Sequence, residues 1–282
     1  MIARSRLLLG GILTAVVLEG CLAAAQPPLC TVTTGVTALP GVGEASGVAV
    51  SRRTPGILWS HNDSGPASLF AFDDAGNAKG RVELTGIAID DWEDLAIGPC
   101  PEGSCLYIAD IGDNNRARRG ITIYRVPEPR ADDKAAAPAQ AWTMTYPDRP
   151  HDAEALFAMS SGQLFLVSKE DVRTTALYRV PAPSASGGRL EFVAQLPLAR
   201  VTGGAASPDG NWVALRTNTE LLFYPAADLI AGKSVQPRRF DLKPIKERQG
   251  EGVAFGPDGV IYLVGEGGGK GGTLATIRCA LR

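Results

Sequence analysis

One pattern of short strands recurs five times along the 282-residue chain and constrains its fold more than any other feature. In each copy a polar residue opens a short apolar strand, a turn follows, and two further strands and a fourth stretch complete the unit. Four strands in about fifty residues are typical of one β-propeller blade. The sequence therefore predicts an all-β chain with a single five-bladed β-propeller, and six blades are the alternative. The copies begin at Ala45, Trp92, Ala153, Val201 and Gly250.

Ring closure can be predicted from the strand that the repeats leave over. The fifth copy lacks a fourth strand, and the stretch CTVTTGVTALP from Cys30 belongs to no copy. We expect this stretch to complete the last blade, which would place Cys30 beside Cys279. The other two cysteines outside the leader, Cys100 and Cys105, bracket a short turn. An even number of cysteines thus predicts two disulfides, Cys30–Cys279 and Cys100–Cys105. The Pro-rich and Ala-rich stretch at 127–140 is expected to be a surface insertion in the second blade.

The first 25 residues have the features of a signal peptide. Arg4 and Arg6 precede an apolar run from Leu7 to Leu18, and three alanines end at Ala25. The run is too short to span a bilayer, and no later segment is expected to cross a membrane. We expect cleavage after Ala25 and export, with a lipid anchor at Cys21 as the alternative. The propeller domain would occupy residues 26–282.

Charge and histidine content limit the partners of this chain. The sequence has 28 basic and 30 acidic residues, and its formal net charge is −2 at pH 7. A nucleic-acid-binding protein usually has a basic surface, so this class is disfavoured. Two histidines, His61 and His151, are too few for a multi-histidine metal site. We expect a monomer that binds a small anionic ligand or an exported protein partner.

A single position at the start of the first strand carries an oxygen-bearing side chain in every copy. The first strand of a propeller blade lines the central channel, so these side chains should form a ring of three carboxylates and two hydroxyls. Two carboxylates about 4 Å apart repel by roughly 4 kcal/mol at an effective dielectric of 20, so the ring predicts a bound cation. Oxygen-only ligands favour calcium over magnesium. The ring residues are Ser46, Glu93, Glu154, Thr202 and Glu251.

Two alternatives accompany this interpretation of the carboxylates. Glutamates at strand starts also cap backbone N–H groups of the next blade, and propeller channels hold ordered water. Asp90, Asp91 and Asp94, which surround Trp92, are expected to face solvent or to bond the loop backbone. Trp92 itself is expected to pack in the interior.

The second strand of each copy ends in polar residues, which a propeller places on the same face as the ring. Basic side chains above a cation could hold a phosphate or a carboxylate, although charged loop residues are often ordinary solvated surface. The candidate ligand-binding residues are His61, Arg116, Lys169, Arg200, Arg216 and Arg248. Three carboxylates of this face are candidates to activate water, namely Asp63, Asp113 and Glu266.

The ring also carries a resemblance to known proteins. Its order of hydroxyl, carboxylate, carboxylate, hydroxyl and carboxylate resembles the central calcium ring of the five-bladed calcium-activated nucleotidases, or apyrases. The stretches WEDLAI, HDAEALF and GEGVAF are similar to the blade starts of that family. The stretches DWEDLA, YIADIGDN, YPDRPHDAEALF and GEGVAFGPDG resemble a group of exported bacterial propeller proteins with no firmly assigned activity.

The ring and the rim leave two classes of function. The first is a calcium-dependent hydrolase of phosphate esters or anhydrides, similar to an apyrase or a phytase. In such a protein the basic residues would neutralise the substrate and a carboxylate would activate water. The second is a non-catalytic propeller that binds a ligand or protein, with calcium as a structural plug.

Overall fold

Five sheets make up the described part of the protein, four of them with four strands and one with five, and each has a core of four antiparallel strands. The computed structural model describes residues 28–171, 174–182, 187–268 and 271–281. The predicted signal peptide and Cys21 lie outside the described residues. The five sheets confirm the five-bladed propeller and exclude the six-bladed alternative. The fourth strands predicted at the end of the first four copies are also confirmed.

Within each blade, the strands run from the channel outward. Blade one contains β2 (Ala45–Val50), β3 (Leu58–Asn62), β4 (Ser68–Phe72) and β5 (Ala78–Glu83). Blade two contains β6 (Trp92–Cys100), β7 (Gly103–Asp110), β8 (Ile121–Pro127) and β9 (Gln140–Thr145). Blade three contains β10 (Ala153–Ala158), β11 (Leu164–Ser168), β12 (Thr175–Arg179) and β14 (Glu191–Leu196). Blade four contains β15 (Val201–Ala206), β16 (Trp212–Thr217), β17 (Glu220–Pro225) and β18 (Arg238–Asp241).

The fifth blade combines both ends of the described chain. It contains β19 (Gln249–Phe255), β20 (Val260–Glu266) and β21 (Gly272–Cys279), and β1 (Cys30–Leu39) is its outermost strand. Cys30 is the register partner of Cys279, and the two form a disulfide. Cys100 and Cys105 form the second disulfide, at the turn between β6 and β7. Both predicted pairings and the predicted closure are therefore confirmed.

Burial falls from the channel to the outer edge of each blade. The inner strand β10 is buried at every residue, whereas the outer strand β5 has one buried residue, Val82. Five apolar clusters fill the spaces between neighbouring blades, and Trp59 of blade one packs with Leu106 of blade two in one of them. The hydrophobic effect thus holds the blades face to face rather than within one central core.

The segment between β8 and β9 lies on the outer edge of blade one. Glu83 of β5 accepts a hydrogen bond from the Ala136 N–H at 3.0 Å, and its own N–H donates to Lys134 O at 3.0 Å. Gly80 is required beneath this segment, because a Cβ at that position would lie 1.7 Å from Ala131 O. The predicted insertion therefore covers part of an exposed sheet edge, which would otherwise present unpaired backbone groups.

Helical structure is sparse in the described part of the chain. It consists of α1 (Ala226–Ile230) and two single 3₁₀ turns at Lys243–Ile245 and Pro257–Gly259. A short strand, β13 (Gly188–Arg189), pairs in parallel with β9 and widens the second blade. None of these helices is long and apolar enough to cross a membrane.

Candidate cation site at the channel mouth

Each inner strand has a register shift close to its start, and all five predicted ring residues lie at these shifts. The shifts fall between Trp92 and Asp94 in blade two and between Ala153 and Ala155 in blade three, with equivalents in the other three blades. A β-bulge bends a strand and re-aims its side chains, so two successive residues can turn toward the channel. The sequence position shared by the copies thus coincides with a shared backbone irregularity.

The carboxylates of the ring are largely removed from water. Glu154 and Glu251 are buried, and Glu93 is partly buried. Burial, together with the neighbouring charges of Glu154 and Asp91, raises the pKa of Glu93 to about 10. Burial also raises the pKa of Glu154 to about 8 and shifts the pKa of Glu251 upward. The ring is therefore a crowded set of acids, and a nearby positive charge is needed to favour their ionised forms.

Hydroxyl groups occupy the two remaining ring positions. Ser46 and Thr202 are both buried. The Thr202 hydroxyl donates to the backbone oxygen of Glu251 at 3.2 Å, which joins the inner strands of blades four and five. A Cβ at Gly252 would lie 2.9 Å from Ser46 O, so blades five and one also meet closely at this level. The ring positions of blades four, five and one therefore lie close together.

Lys169 supplies a positive charge to the ring. Its Nζ forms an ion pair with Glu154 Oε1. Its charge also lowers the pKa values of Glu93 and Glu251, which burial raises. Lys169 was predicted to bind a ligand on the rim, and in the structure its ammonium offsets part of the charge of the carboxylate ring.

Two carboxylates lie close together against Gly112. A Cβ at this position would lie 2.2 Å from Glu93 Oε1 and 2.4 Å from Asp91 Oδ2, so a side chain would collide with both acids. The Ile111 and Gly112 N–H groups donate to Asp91 O at 3.1 and 3.2 Å and fix the loop. Glycine at position 112 thus allows oxygens of Glu93 and Asp91 to converge.

Asp94 lies deeper in the channel and links three blades. Its side chain is fully buried, its Oδ1 accepts from the Leu95 N–H at 2.8 Å, and its Oδ2 accepts from the Leu156 N–H at 2.9 Å. The same Oδ2 accepts from the Gly204 N–H of blade four at 3.1 Å. Burial raises the pKa of Asp94 to about 7, although these N–H donors favour the ionised form. The expectation that Asp94 faces solvent or bonds the loop is wrong.

A signal for Asp94 was present in the repeat alignment. The residue that follows the ring position is small in the other four copies, namely Gly47, Ala155, Gly203 and Gly252. A Cβ at Gly203 would lie 2.5 Å from Glu251 O, so the blades leave little space there. An acid in place of a small residue at one of five equivalent positions is the pattern that singles out Asp94. Asp91 and Gly112 carried no comparable signal.

A second group of acids lies at the outer lip of the mouth, between blades one and five. Burial raises the pKa of Asp63 to about 7, and a hydrogen bond with Glu44 and the charge of Glu266 add to the shift. Burial also raises the pKa of Glu266, whose Oε1 accepts from Gln249 Nε2 at 3.0 Å. Asp63 Oδ1 is buried and has no hydrogen-bond partner within the described part of the chain.

The prediction that His61 and Arg216 lie on the rim needs correction, because both side chains are fully buried. His61 packs edge-on against Trp92, with ring centroids 5.6 Å apart, and burial lowers its pKa to about 4. Arg216 donates to Gly252 O at 2.6 Å and to Val264 O at 2.8 Å, and it pairs with Glu247 at 2.5 Å. Their strands carry them into the interface between blades rather than onto the surface.

The other predicted rim cations lie farther from the ring. Arg116 pairs with Glu170 at 3.3 Å, and Arg200 pairs with Asp171 at 3.6 Å. Arg248 is exposed and lies against Gly268, where a Cβ would be 2.3 Å from its guanidinium carbon. An anionic ligand would therefore have to compete with carboxylates for Arg116 and Arg200.

Asp113, a predicted candidate to activate water, holds the loop after β7 in place. It is buried, and its two oxygens accept from the Ala117 and Arg118 N–H groups at 2.9 and 2.8 Å. Its own N–H donates to Asp152 Oδ1 at 2.9 Å. Burial and these bonds make it less accessible to water than the half-buried Asp63 and Glu266.

The donor atoms at the channel mouth are of the type that a hard cation binds. They lie farther apart than the ligand atoms of a closed metal site. Within the described ranges, three His, Cys, Asp or Glu donors come within 4.8 Å of one another at Cys100, Glu102 and Cys105. That group is no metal site, because its two cysteines form a disulfide. Carboxylates and hydroxyls suit calcium, and the pair beside Gly112 already converges.

Comparisons with known proteins support the fold. No known protein family and no curated protein matches the sequence. The PQQ-bound aldose sugar dehydrogenase from Streptomyces coelicolor is similar, with a TM-score of 0.54, 15% identity, and coverage of 90% of this chain and all of that one. The apo-form soluble aldose sugar dehydrogenase from Escherichia coli has a TM-score of 0.52, 11% identity, and coverage of 88% and 100%. Identities this low show the propeller fold and say nothing about activity.

Proposed function

We propose that this chain is an exported β-propeller that binds a calcium ion at the channel mouth and holds an anionic ligand there. The supporting observation is the crowding of buried acids, because Glu93, Glu154 and Glu251 occupy equivalent positions and all have raised pKa values. Ser46 and Thr202 would complete the ring, and Asp91 lies beside it. The two disulfides fit an oxidising compartment, as expected after export.

The residues of the channel mouth would have different roles in binding the calcium ion and the ligand. A calcium ion would neutralise the three glutamates and provide an attachment point for a phosphate or carboxylate group. Lys169 would leave Glu154 when that acid is neutralised, and its ammonium would then be available to the ligand. Asp94 would keep its backbone bonds and close the channel below the ring. The ligand would therefore approach from the outer lip, where Asp63 and Glu266 lie.

Removal of calcium is expected to lower the melting temperature, because it leaves the glutamates crowded and only partly compensated by Lys169. At a hundredfold excess of calcium over its dissociation constant, binding adds about 2.7 kcal/mol to the stability of the folded state. For a domain of this size we expect a shift of about 5–10 °C between chelator and calcium, measured by differential scanning fluorimetry. Glu154→Gln should abolish the shift. Glu191→Gln, on the exposed outer strand of blade three, should preserve it.

The calcium effect on the melting temperature should also be measured over a range of pH, as a control. The pKa values of Glu93 and Glu154 rise from 4.5 to about 10 and about 8, so the folded metal-free chain binds more protons than the unfolded chain. Their contribution to stability is complete below about pH 4.5 and is lost as the pH rises through 8 to 10. Calcium should reduce this loss. A melting temperature that changes with neither calcium nor chelator across this pH range would rule out the calcium site.

A second function, hydrolysis of phosphate esters or anhydrides, is favoured by Asp63. Its pKa of about 7 suits a general base, which works best when its pKa lies near the operating pH. Asp63 is half-buried at the lip, beside Glu44 and Glu266, so it could take a proton from water that attacks a bound ester. Lys169 would stabilise negative charge that develops on the phosphoryl oxygens.

If the protein is a hydrolase, Asp63→Asn should lower kcat at least about 100-fold, because it removes the proton acceptor. The melting temperature should stay the same or rise, because the substitution also removes repulsion from Glu44. Purified protein would be assayed with 4-nitrophenyl phosphate and nucleoside triphosphates, with calcium and with chelator. If none of these substrates is turned over and calcium still shifts the melting temperature, the protein is a non-catalytic binding protein.

A further inference from the structure

A second polar cavity, separate from the channel, lies where the loop after blade two meets blade three. Its volume is about 310 Å³, at the lower end of the range of about 300–1,000 Å³ for small-molecule sites. Its lining includes acidic, basic, amide and aromatic side chains, among them Asp148, Arg149, Glu170, Phe192 and Gln195. This mixture is unlike the apolar lining of the lower channel, where Leu95, Phe157 and Val253 lie.

A buried histidine holds two acids in fixed positions at this cavity. His151 is buried, its Nδ1 lies 3.0 Å from Glu170 Oε1, and its Nε2 lies 3.1 Å from both oxygens of Asp148. The Tyr178 hydroxyl is also 3.1 Å from Nε2. Each carboxylate oxygen accepts up to two hydrogen bonds, so Asp148 and Glu170 retain acceptor capacity toward the cavity. The histidine therefore lies between two carboxylates of the cavity wall.

An aromatic surface adjoins these acceptors. Phe192 is 55% exposed, the highest value among the exposed large apolar side chains of the described residues. Its ring meets Tyr178 edge-on, with centroids 6.1 Å apart and an interplanar angle of 75°. Covering such an exposed aromatic face with an apolar surface of a ligand is favourable, because it removes apolar area from water.

The cavity is separate from the channel mouth because neighbouring residues alternate in direction. Lys169 pairs with Glu154 in the channel, whereas Glu170 contacts His151. In the same way, Asp152 accepts from the Asp113 N–H, whereas His151 faces the cavity. Successive side chains of an extended chain point to opposite sides, so the same stretch contributes residues to both the channel mouth and the cavity.

We propose that this cavity binds a monosaccharide unit. A pyranose ring has an apolar C–H face that can lie on Phe192, and its vicinal hydroxyls can donate to the fixed carboxylates of Asp148 and Glu170. Arg149 and Gln195 supply donors to the remaining sugar oxygens. The charges of the cavity wall are mixed, because Glu170 lies 3.7 Å from Arg149. A neutral polyhydroxylated ligand fits this balance better than a strong anion.

The test uses the purified mature chain and saturation-transfer-difference NMR with glucose, galactose, mannose and N-acetylglucosamine. At least one sugar should show transfer at millimolar concentration, and chelator should leave the signal unchanged. Phe192→Ala should weaken binding about tenfold or more, because it removes the aromatic face. Asp148→Asn should weaken it as well, because an acceptor oxygen becomes a donor. Val36→Ala, which shortens another exposed apolar side chain on β1, should bind like the parent protein.

Four results would overturn the proposal. They are an absence of transfer from every sugar, equal binding by Phe192→Ala and Val36→Ala, loss of sugar binding on chelation, and binding of inorganic phosphate alone. Loss on chelation would move the ligand to the channel mouth, and phosphate alone would make the cavity an anion site around Arg149. The proposal does not depend on calcium binding, so the two can fail separately.

Discussion

Asp94→Ala is expected to lower the free energy of unfolding by about 2–6 kcal/mol, because two buried N–H groups of other blades lose their acceptor and each such loss costs about 1–3 kcal/mol. The two groups that lose their acceptor across the channel belong to Leu156 and Gly204, in blades three and four. Their bonds to blade two disappear together, so the substitution also loosens the packing of three blades. Urea unfolding followed by tryptophan fluorescence would measure the loss.

Two variants make the Asp94 measurement specific. Asp94→Asn keeps one acceptor oxygen and the shape of the side chain, so we expect a smaller loss of about 1–2 kcal/mol. Asp90→Ala removes an acid four residues away whose side chain is 70% exposed and pairs with Arg118, and its effect should be about 0–1 kcal/mol. If Asp94→Ala unfolds at the same urea concentration as Asp90→Ala, Asp94 does not join the blades.

Arg216→Met is expected to lower the free energy of unfolding by about 3–5 kcal/mol, because it leaves the acid of Glu247 buried without its partner. The side chain of Glu247 is 5% exposed and that of Arg216 is 0% exposed, so water cannot easily replace the lost contact. Methionine fills much of the same volume, which separates loss of charge from loss of packing. Chemical denaturation gives the magnitude directly.

The double variant Arg216→Met with Glu247→Leu tests the reason for this loss. Removing both charges should restore part of the stability, since no buried acid is left unpaired, although Gly252 O and Val264 O still lose their donor. Arg239→Met, on an exposed pair with Glu220, should have an effect below about 1 kcal/mol. A double variant less stable than Arg216→Met alone would contradict the argument.

The architecture could be predicted because repetition leaves few choices. Each copy alone gives a weak signal, but five copies at similar spacing fix the blade number, and the leftover strand at Cys30 fixes the closure. The disulfides follow from that closure, because Cys30 and Cys279 become register partners on neighbouring strands. Local strand patterns and global ring geometry agree, and such agreement makes a prediction from sequence secure.

The site could be predicted only in part, because a repeat alignment places backbones and not side chains. It placed Glu93, Glu154 and Glu251 at equivalent positions of the inner strands. It did not reveal that Arg216 and His61, at the ends of second strands, would turn inward. Burial of a charged side chain depends on a partner from elsewhere in the chain, such as Glu247 for Arg216, and spacing along one strand carries no information about that partner.

The repeats along the chain were enough to predict five blades, the closing strand, both disulfide pairings and the equivalence of five ring positions. Which of the acids around Trp92 lie together became visible in the folded ring, because the bulge in β6 turns both Glu93 and Asp94 inward. The same holds for the bonds of Asp94 to blades three and four and for the approach of Glu93 and Asp91 at Gly112. The physical reason is that the inner strands meet at the channel from five separate parts of the chain. Their contacts, and the pKa shifts that follow from burial there, exist only once the ring has closed.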